Sequence, residues 1–225
     1  MMTMTIKKLS VLLILLGFTS FAYSQDDFGI WYGASAGHKL IGKLGLDLSG
    51  EIRTHNNASR IDEMFLEGGL SYKFNKYVSV GGSYRYTWFH EVTDDYHARH
   101  KWFADINGHL PLGDFDITGR IRFQERYKTY FQDENDRVPK STLRYRLKLS
   151  YNIPSCPVNP FAFTEIFCPV SSDKKRSVEK ERFAIGAEYK ISKKHSIDAA
   201  YMFQRDYIPH LSDINLISLE YNLKF

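Results

Sequence analysis

Ile217-Ser218-Leu219-Glu220-Tyr221-Asn222-Leu223-Lys224-Phe225 alternates apolar and polar residues without interruption and stops on an aromatic ring. Ile217, Leu219, Tyr221, Leu223 and Phe225 share one face; Ser218, Glu220, Asn222 and Lys224 share the other. Successive Cβ atoms of a strand point to opposite sides, so a period of two reads as a β-strand with one apolar face. The sequence around this stretch shows whether the strand stands alone or belongs to a closed wall.

Working back from it, similar segments recur at 43–54, 62–74, 77–89, 99–110, 115–130, 141–152, 160–169, 180–191, 196–206 and 213–225. Asn75-Lys76, Pro111 to Asp114, Ile153 to Asn159 and Ser192 to His195 make tight or proline-bearing connections. His55 to Ile61, His90 to Ala98, Phe131 to Lys140, Val170 to Glu179 and Tyr207 to Ser212 make longer polar ones. Short turns at one end and longer loops at the other are the layout of an outer-membrane barrel. The expected fold is therefore all-β, an antiparallel transmembrane β-barrel of about 10 strands, with both chain ends on the short-turn side. Phe28 to Lys39 reads as a further glycine-rich strand that an even count does not accommodate. Twelve strands is the alternative.

Charge tests this reading. Asp116, Thr118, Arg120, Arg122, Gln124 and Arg126 fall opposite Phe115, Ile117, Gly119, Ile121, Phe123 and Tyr127, with Glu125 as a misfit. Arg144, Arg146, Lys148 and Ser150 fall opposite Leu143, Tyr145, Leu147, Leu149 and Tyr151. A basic residue at the lipid midplane costs about 2–4 kcal/mol, so four misplaced arginines would cost on the order of 10 kcal/mol. They are expected to face the lumen, and a slip of one residue would turn them all to lipid. By the same logic Asp47, Ser49, Glu51, Arg53, Glu63, Glu67, Ser71, Arg85, Asp105, Arg182, Glu188, Asp198 and Glu220 point inward. Phe161, Phe163 and Glu165 share a face, and a β-bulge that re-aims Glu165 is the expected repair.

Aromatic residues are 15% of the chain, and many fall at strand ends, as two interfacial girdles require. Phe74, Tyr77, Phe115, Tyr151, Tyr189 and Phe225 lie toward the turns, while Trp88, Tyr127, Phe203 and Tyr207 lie toward the loops. The alternating face through Leu219, Tyr221, Leu223 and Phe225 resembles the assembly signal of Gram-negative outer-membrane barrels. At the other end, Lys7 and Lys8, the apolar run Leu9 to Leu16, and Ala22-Tyr23-Ser24 read as a signal peptide cleaved before Gln25. The expected division is 1–24 signal peptide and 25–225 a single barrel domain, in the outer membrane of a Gram-negative bacterium. No cysteine stands directly after the apolar run, which argues against a lipoprotein.

The formal net charge of +4 gives no argument for nucleic acid, and Lys174-Lys175-Arg176 reads as a solvated run or one facing anionic lipid head groups. Mean hydropathy is −0.37, and no apolar run after residue 24 reaches the 18 residues or so of a spanning helix.

The segments around Trp31, Leu46-Asp47-Leu48-Ser49-Gly50-Glu51-Ile52-Arg53, Gly81-Gly82-Ser83-Tyr84-Arg85-Tyr86, Leu143-Arg144-Tyr145-Arg146 and Arg182-Phe183-Ala184-Ile185-Gly186-Ala187-Glu188-Tyr189 resemble an uncharacterised family. It is the domain-of-unknown-function family twenty-four-ninety. The resemblance implies an outer-membrane-like barrel and supplies no catalytic residue.

Chemistry-bearing residues are sparse. His97 and His100, near His90, Glu91, Asp94 and Asp95, are the candidate metal ligands; structural zinc would want four close ligands and no second motif completes a site. His55, His90, His97, His100 and His210, with Ser59, Ser141, Ser171, Ser172 and Ser212, populate the loop end, where a rim-located lipid hydrolase would pair serine with histidine. No spacing marks a pair, and Gly81-Gly82 precedes no helix, so it cradles no phosphate. Cys156 falls in a short turn and Cys168 at the far end of the strand that follows, too far apart for a disulfide.

A lumen of about ten strands is narrow, because eight are just filled by side chains and 16–18 leave a channel. The expected function is that of a non-enzymatic structural or binding barrel with a charged, largely plugged lumen and no cofactor. The expected charge network is Asp47, Glu51, Arg53, Glu67, Arg85, Arg120, Arg122, Arg144, Arg146, Arg182, Glu188 and Glu220. Expected partners are outer-membrane lipids, lipopolysaccharide and the barrel assembly machinery, with oligomeric state open. A narrow anion-leaning channel and the rim hydrolase are the alternatives.

Overall fold

Period-two alternation carries the described chain through eleven strands that close on themselves. The computed structural model describes residues 27–90, 96–131, 137–170, 178–208 and 211–225. The strands are β1 (Asp27–Lys39), β2 (Leu44–His55), β3 (Arg60–Lys73), β4 (Val78–His90), β5 (Tyr96–Leu112), β6 (Phe115–Lys128), β7 (Lys140–Tyr151), β8 (Val158–Pro169), β9 (Lys180–Lys190), β10 (His195–Asp206) and β11 (Ser212–Lys224). Each pairs antiparallel with its neighbour in sequence, and β1 pairs with β11 in parallel to complete the barrel. The segment 1–24 read as a signal peptide lies outside the described residues.

The strand count corrects the even expectation. Phe28 to Lys39 is a full member of the wall: as β1 it hydrogen-bonds to β2 on one side and β11 on the other. An odd count makes β1 and β11 run the same way, so β1 begins at the long-loop end and β11 finishes at the short-turn end. Gly29, Gly33 and Gly37 face inward with Trp31 and Ser35, since their partners include Leu216, Glu220 and Ser218 on the inward face of β11. Asp27 anchors the start of β1. Its carboxylate accepts from the backbone N–H groups of Asn56 and Asn57 at 3.1 and 3.0 Å, holding a loop whose Asn56, Asn57 and Ala58 are all left-handed.

The barrel is apolar outside and polar within. Leu66 is 61% exposed and Phe183 53%, whereas Glu165 is 2% exposed. Leu48, Leu70, Ile106, Leu110, Ile121, Leu147, Leu149, Ile185 and Leu219 belong to the same outward band. Soluble monomers rarely present so many outward apolar side chains, whose removal from water is worth roughly 25 cal/mol per Å². Inside, a compact cluster of Trp31, Phe161, Phe163, Ala184, Met202 and Leu216 fills the side formed by β1 and β8–β11. Large residues there meet small ones: Phe163 lies across from Ala184, and Phe161 from Gly186. A Cβ on Gly186 would come within 2.4 Å of the Ala199 carbonyl oxygen, so glycine is required at that position.

Strand β8 also departs from expectation. Phe161, Phe163, Glu165 and Phe167 all point inward, and its register with β7 and β9 runs without the bulge proposed at Glu165. The aromatic rings face the lumen because basic side chains there stack upon them.

Candidate functional site

The lumen is occupied at mid-height by a layer that β1 to β9 build from charges and aromatic rings. Neighbouring strands place arginines directly opposite one another, Arg120 across from Arg146 and Arg122 across from Arg144. Like charges in that relation destabilise a sheet unless a counter-charge lies between them. Glu165 supplies it. Its carboxylate accepts from Arg120 at 2.8 Å and Arg144 at 2.9 Å, and Arg182 lies 3.7 Å away. Asp105 takes Arg122 in a two-pronged pair at 2.6 Å per contact. Glu67 takes Arg85 at 2.6 Å and accepts from the Ser83 hydroxyl at 3.1 Å. Glu63 takes Arg53 at 2.7 Å and lies 3.7 Å from Lys101; Glu51 also pairs with Arg53.

Rings complete the layer. The Arg53 guanidinium lies 3.9 Å from the Trp31 ring centre, with Arg182 at 4.8 Å from the same ring. Arg85 covers Phe65 at 3.5 Å, Arg122 covers Phe103 at 4.3 Å, Arg146 covers Phe163 at 3.8 Å and Lys148 covers Phe161 at 3.9 Å. A cation over a ring face gains about 0.5–2 kcal/mol, more where water is excluded. Guanidinium groups are thus held between carboxylates and rings.

This layer separates two cavities. The one toward the short turns has a volume of about 540 Å³ and is lined by Ser79, Asn107, His109, Thr118, Arg120, Arg146, Lys148, Asp198 and Glu220 among others. Asp198 and Glu220 of that lining stand in direct cross-strand register, and Asp198 also faces Glu188, an acidic row on β9 to β11. The cavity toward the long loops has about 280 Å³ and draws lining residues from every strand. Nine basic side chains line it against four carboxylates, Asp27, Asp62, Glu63 and Glu179.

Every residue of the expected charge network points into the lumen. Arg53, Glu67, Arg85, Arg120, Arg122, Arg144 and Arg182 form the pairs described, while Arg146 stacks on Phe163. Asp47 accepts from Ser71 at 2.8 Å, Glu188 accepts from Asn159 at 3.1 Å, and Glu51 and Glu220 flank Gly33. Leu219, Tyr221 and Phe225 are exposed on the outer face, with the Phe225 N–H bonded to the Gly37 carbonyl at 2.9 Å. Trp31, Phe161, Phe163, Phe167 and Lys101 were not expected in the lumen. For Lys101 the signal was present in its register opposite Arg85 and Arg126, which requires knowing the strand pairing.

The metal candidates are corrected. β5 begins at Tyr96, and an odd spacing within a strand puts His97 and His100 on opposite faces. His97 stacks inside on Tyr130 at 3.9 Å, while His100 turns outward to the Tyr84 hydroxyl at 2.5 Å. Among the described residues no group of three metal-ligating side chains forms. Glu91, Asp94, Asp95, His210, Ser171, Ser172 and Lys174 to Arg176 lie outside the described residues. Of the rim groups described, Ser59 donates to the Asn56 carbonyl at 2.6 Å and His90 is engaged by Arg60 at 2.7 Å. Cys156 in the β7–β8 turn and Cys168 near the far end of β8 are free thiols.

A model of the protein family of unknown function DUF2490 matches residues 28–215, from β1 into β11. The chain belongs to that family. Among curated sequences, this DUF2490 chain is 22% identical over 201 residues to an uncharacterised protein of Methylorubrum extorquens, covering 87% of the chain and 86% of the relative. Among solved structures, the β-domain of the Bordetella autotransporter BrkA aligns with a TM-score of 0.52 at 12% identity, over 81% of this chain and 82% of that one. The NanC porin aligns with a TM-score of 0.52 at 12% identity, over 86% and 99%. At such identities the likeness is one of fold, a barrel similar to those of bacterial outer-membrane proteins.

Proposed function

We propose that this chain is an outer-membrane barrel without enzymatic activity, whose lumen is held shut at mid-height and whose loop-end cavity binds a ligand. The observation that carries the reading is Glu165, buried and shared by Arg120, Arg144 and Arg182 in a layer that separates two cavities. The outward apolar band, the similarity of fold and the alternating face of Leu219, Tyr221, Leu223 and Phe225 support the location. The same strand is the proposed handle for the barrel assembly machinery, and the outward band the surface for lipid and lipopolysaccharide. Planar-bilayer recording tests the closed lumen: purified protein at high concentration gives no steps in 1 M salt. Well-resolved conductance from the unmodified protein would replace this reading with that of a channel.

A narrow anion channel is the second reading, favoured by the excess of basic side chains around the loop-end cavity. The acidic row Glu188, Asp198 and Glu220 on the far side of the layer opposes anion passage and favours binding over conduction.

A further inference from the structure

The cavity toward the short turns has one basic wall and one acidic wall. On β6 and β7, Arg120 lies directly across from Arg146, and Lys148 follows on the same face of β7. On β10 and β11, Asp198 lies directly across from Glu220, and it also faces Glu188 on β9. Like charges in cross-strand register repel, so each wall taken alone costs stability. Strand β8 keeps the walls apart. Its Phe161 and Phe163 point inward between them and take Lys148 and Arg146 onto their rings at 3.9 and 3.8 Å. Glu165, directly across from Arg146, is turned to Arg120 and Arg144. The fields of the two walls overlap, Asp198 acting on Lys148 and Glu220 on Arg146. Among the described residues no ion pair joins them, and Asp198 Oδ1 accepts no hydrogen bond.

We propose that this cavity binds the zwitterion of a short peptide, with the ammonium group against Asp198 and Glu220 and the carboxylate against Arg146 and Lys148. It lies across the charged layer from the loop-end cavity, so the two sites do not depend on each other. A ligand with one charge answers one wall and leaves the other. Ammonium and carboxylate on a single small molecule answer both, each through charge-assisted hydrogen bonds. The Arg146 guanidinium presents a fork that fits a carboxylate, and the two acidic side chains offer lone pairs to the three N–H donors of an ammonium group. Because no ion pair bridges the gap, the two charges must be set apart along a backbone, as in a dipeptide. The volume of about 540 Å³ corresponds to roughly 18 waters at 30 Å³ each, room for a dipeptide and too little for a folded segment. Lys73 and Lys76, exposed where β3 turns into β4, stand at the mouth. In the outer-membrane orientation proposed above, that mouth opens to the periplasm.

Calorimetric titration of the barrel in a non-ionic detergent, at neutral pH and fixed ionic strength, tests the site with four probes. They are alanyl-alanine, its N-acetyl form, its C-terminal amide and glycerophosphoethanolamine. Alanyl-alanine binds, and loss of either charged end weakens it at least about tenfold, the scale of one lost charged hydrogen bond. Asp198→Asn weakens alanyl-alanine to the same degree and leaves the N-acetyl form unchanged, since that form has no ammonium group to lose. Arg146→Gln does the same for the carboxylate end, with the amide as the unchanged probe. A merely structural role moves all three dipeptides together. Where Arg146→Gln does not fold, the amide titrated into wild type reads the same contact. Arg205→Gln, an outward charge paired with Asp213, changes no affinity. Equal binding of the three dipeptides, no binding of alanyl-alanine at millimolar concentration, or a folded Asp198→Asn that binds it as wild type does, overturns the site. Tighter binding of glycerophosphoethanolamine than of alanyl-alanine overturns the peptide in favour of a lipid head group. A conducting barrel that still tells the three dipeptides apart removes the closed-lumen reading and leaves this site standing. A silent barrel that treats them alike does the reverse.

Discussion

Strands β8 and β1 line the same lumen and contribute opposite things to it. β8 sends in Phe161, Phe163, Glu165 and Phe167, four bulky groups in succession. β1 sends in Gly29, Trp31, Gly33, Ser35 and Gly37, of which Trp31 alone has bulk. β1 is therefore the sparsest stretch of the inner wall, and its glycines leave room for side chains that originate elsewhere. Glu220 and Glu51 occupy the space beside Gly33, and Trp31 closes the gap between Arg53 and Arg182. Eleven strands lie between the eight whose interior side chains just fill and the 16–18 that leave an aqueous channel, and the proposed closure rests on side chains such as these.

Glu165→Ala attacks the full side of that comparison and has the largest expected effect. It leaves Arg120, Arg144 and Arg182 without their shared counter-charge, at a cost of about 3–5 kcal/mol. Urea unfolding of the barrel in lipid vesicles measures it, and a loss below about 1 kcal/mol would show that water replaces the carboxylate. Trp31→Ala attacks the empty side. It costs about 3 kcal/mol and joins the two cavities, so conductance steps appear in planar bilayers where wild type shows none. Silence from this variant would mean that β8 closes the lumen unaided. Gly186→Ala, on the strand facing β8, drives a methyl against the Ala199 carbonyl oxygen and the Ala200 Cβ, a loss of about 1–3 kcal/mol. Gly33→Ala finds its nearest neighbour at 3.4 Å, so its stability stays within about 0.5 kcal/mol of wild type. Equal effects at the two glycines, read from the same unfolding curves, would erase the contrast between the filled and open sides.

Ten strands were legible in sequence to within three residues at either end, because charge on one face and apolar residues on the other leave little freedom of register. The arginines of β6 and β7 could lie nowhere but inside. β8 was misread for a physical reason: apolar residues were assigned to lipid, and a lumen rich in guanidinium groups also accepts rings. β1 was incompletely read because parallel closure has no local signature; its partner β11 lies at the other end of the chain. The pair His97 and His100 looked usable because β5 was expected to start at residue 99, and three more strand residues suffice to separate the two rings onto opposite faces. The facing basic and acidic walls of the short-turn cavity depend on cross-strand register, which no single segment displays. The family match covers most of the barrel and carries no activity with it, so the site had to be argued from geometry.

Parallel closure has a consequence for how the barrel comes into being. Asp27 lies beside Ile214, so the seam joins residues nearly the whole chain apart and is the contact with the greatest loop-closure entropy. The cylinder can seal only after its final hairpin has formed, which leaves β1 waiting as an unpaired edge until then. Once sealed, the barrel holds Asp27 at one rim and Phe225 at the other. In a bilayer, tags placed at those two points would be reached by antibody from opposite sides.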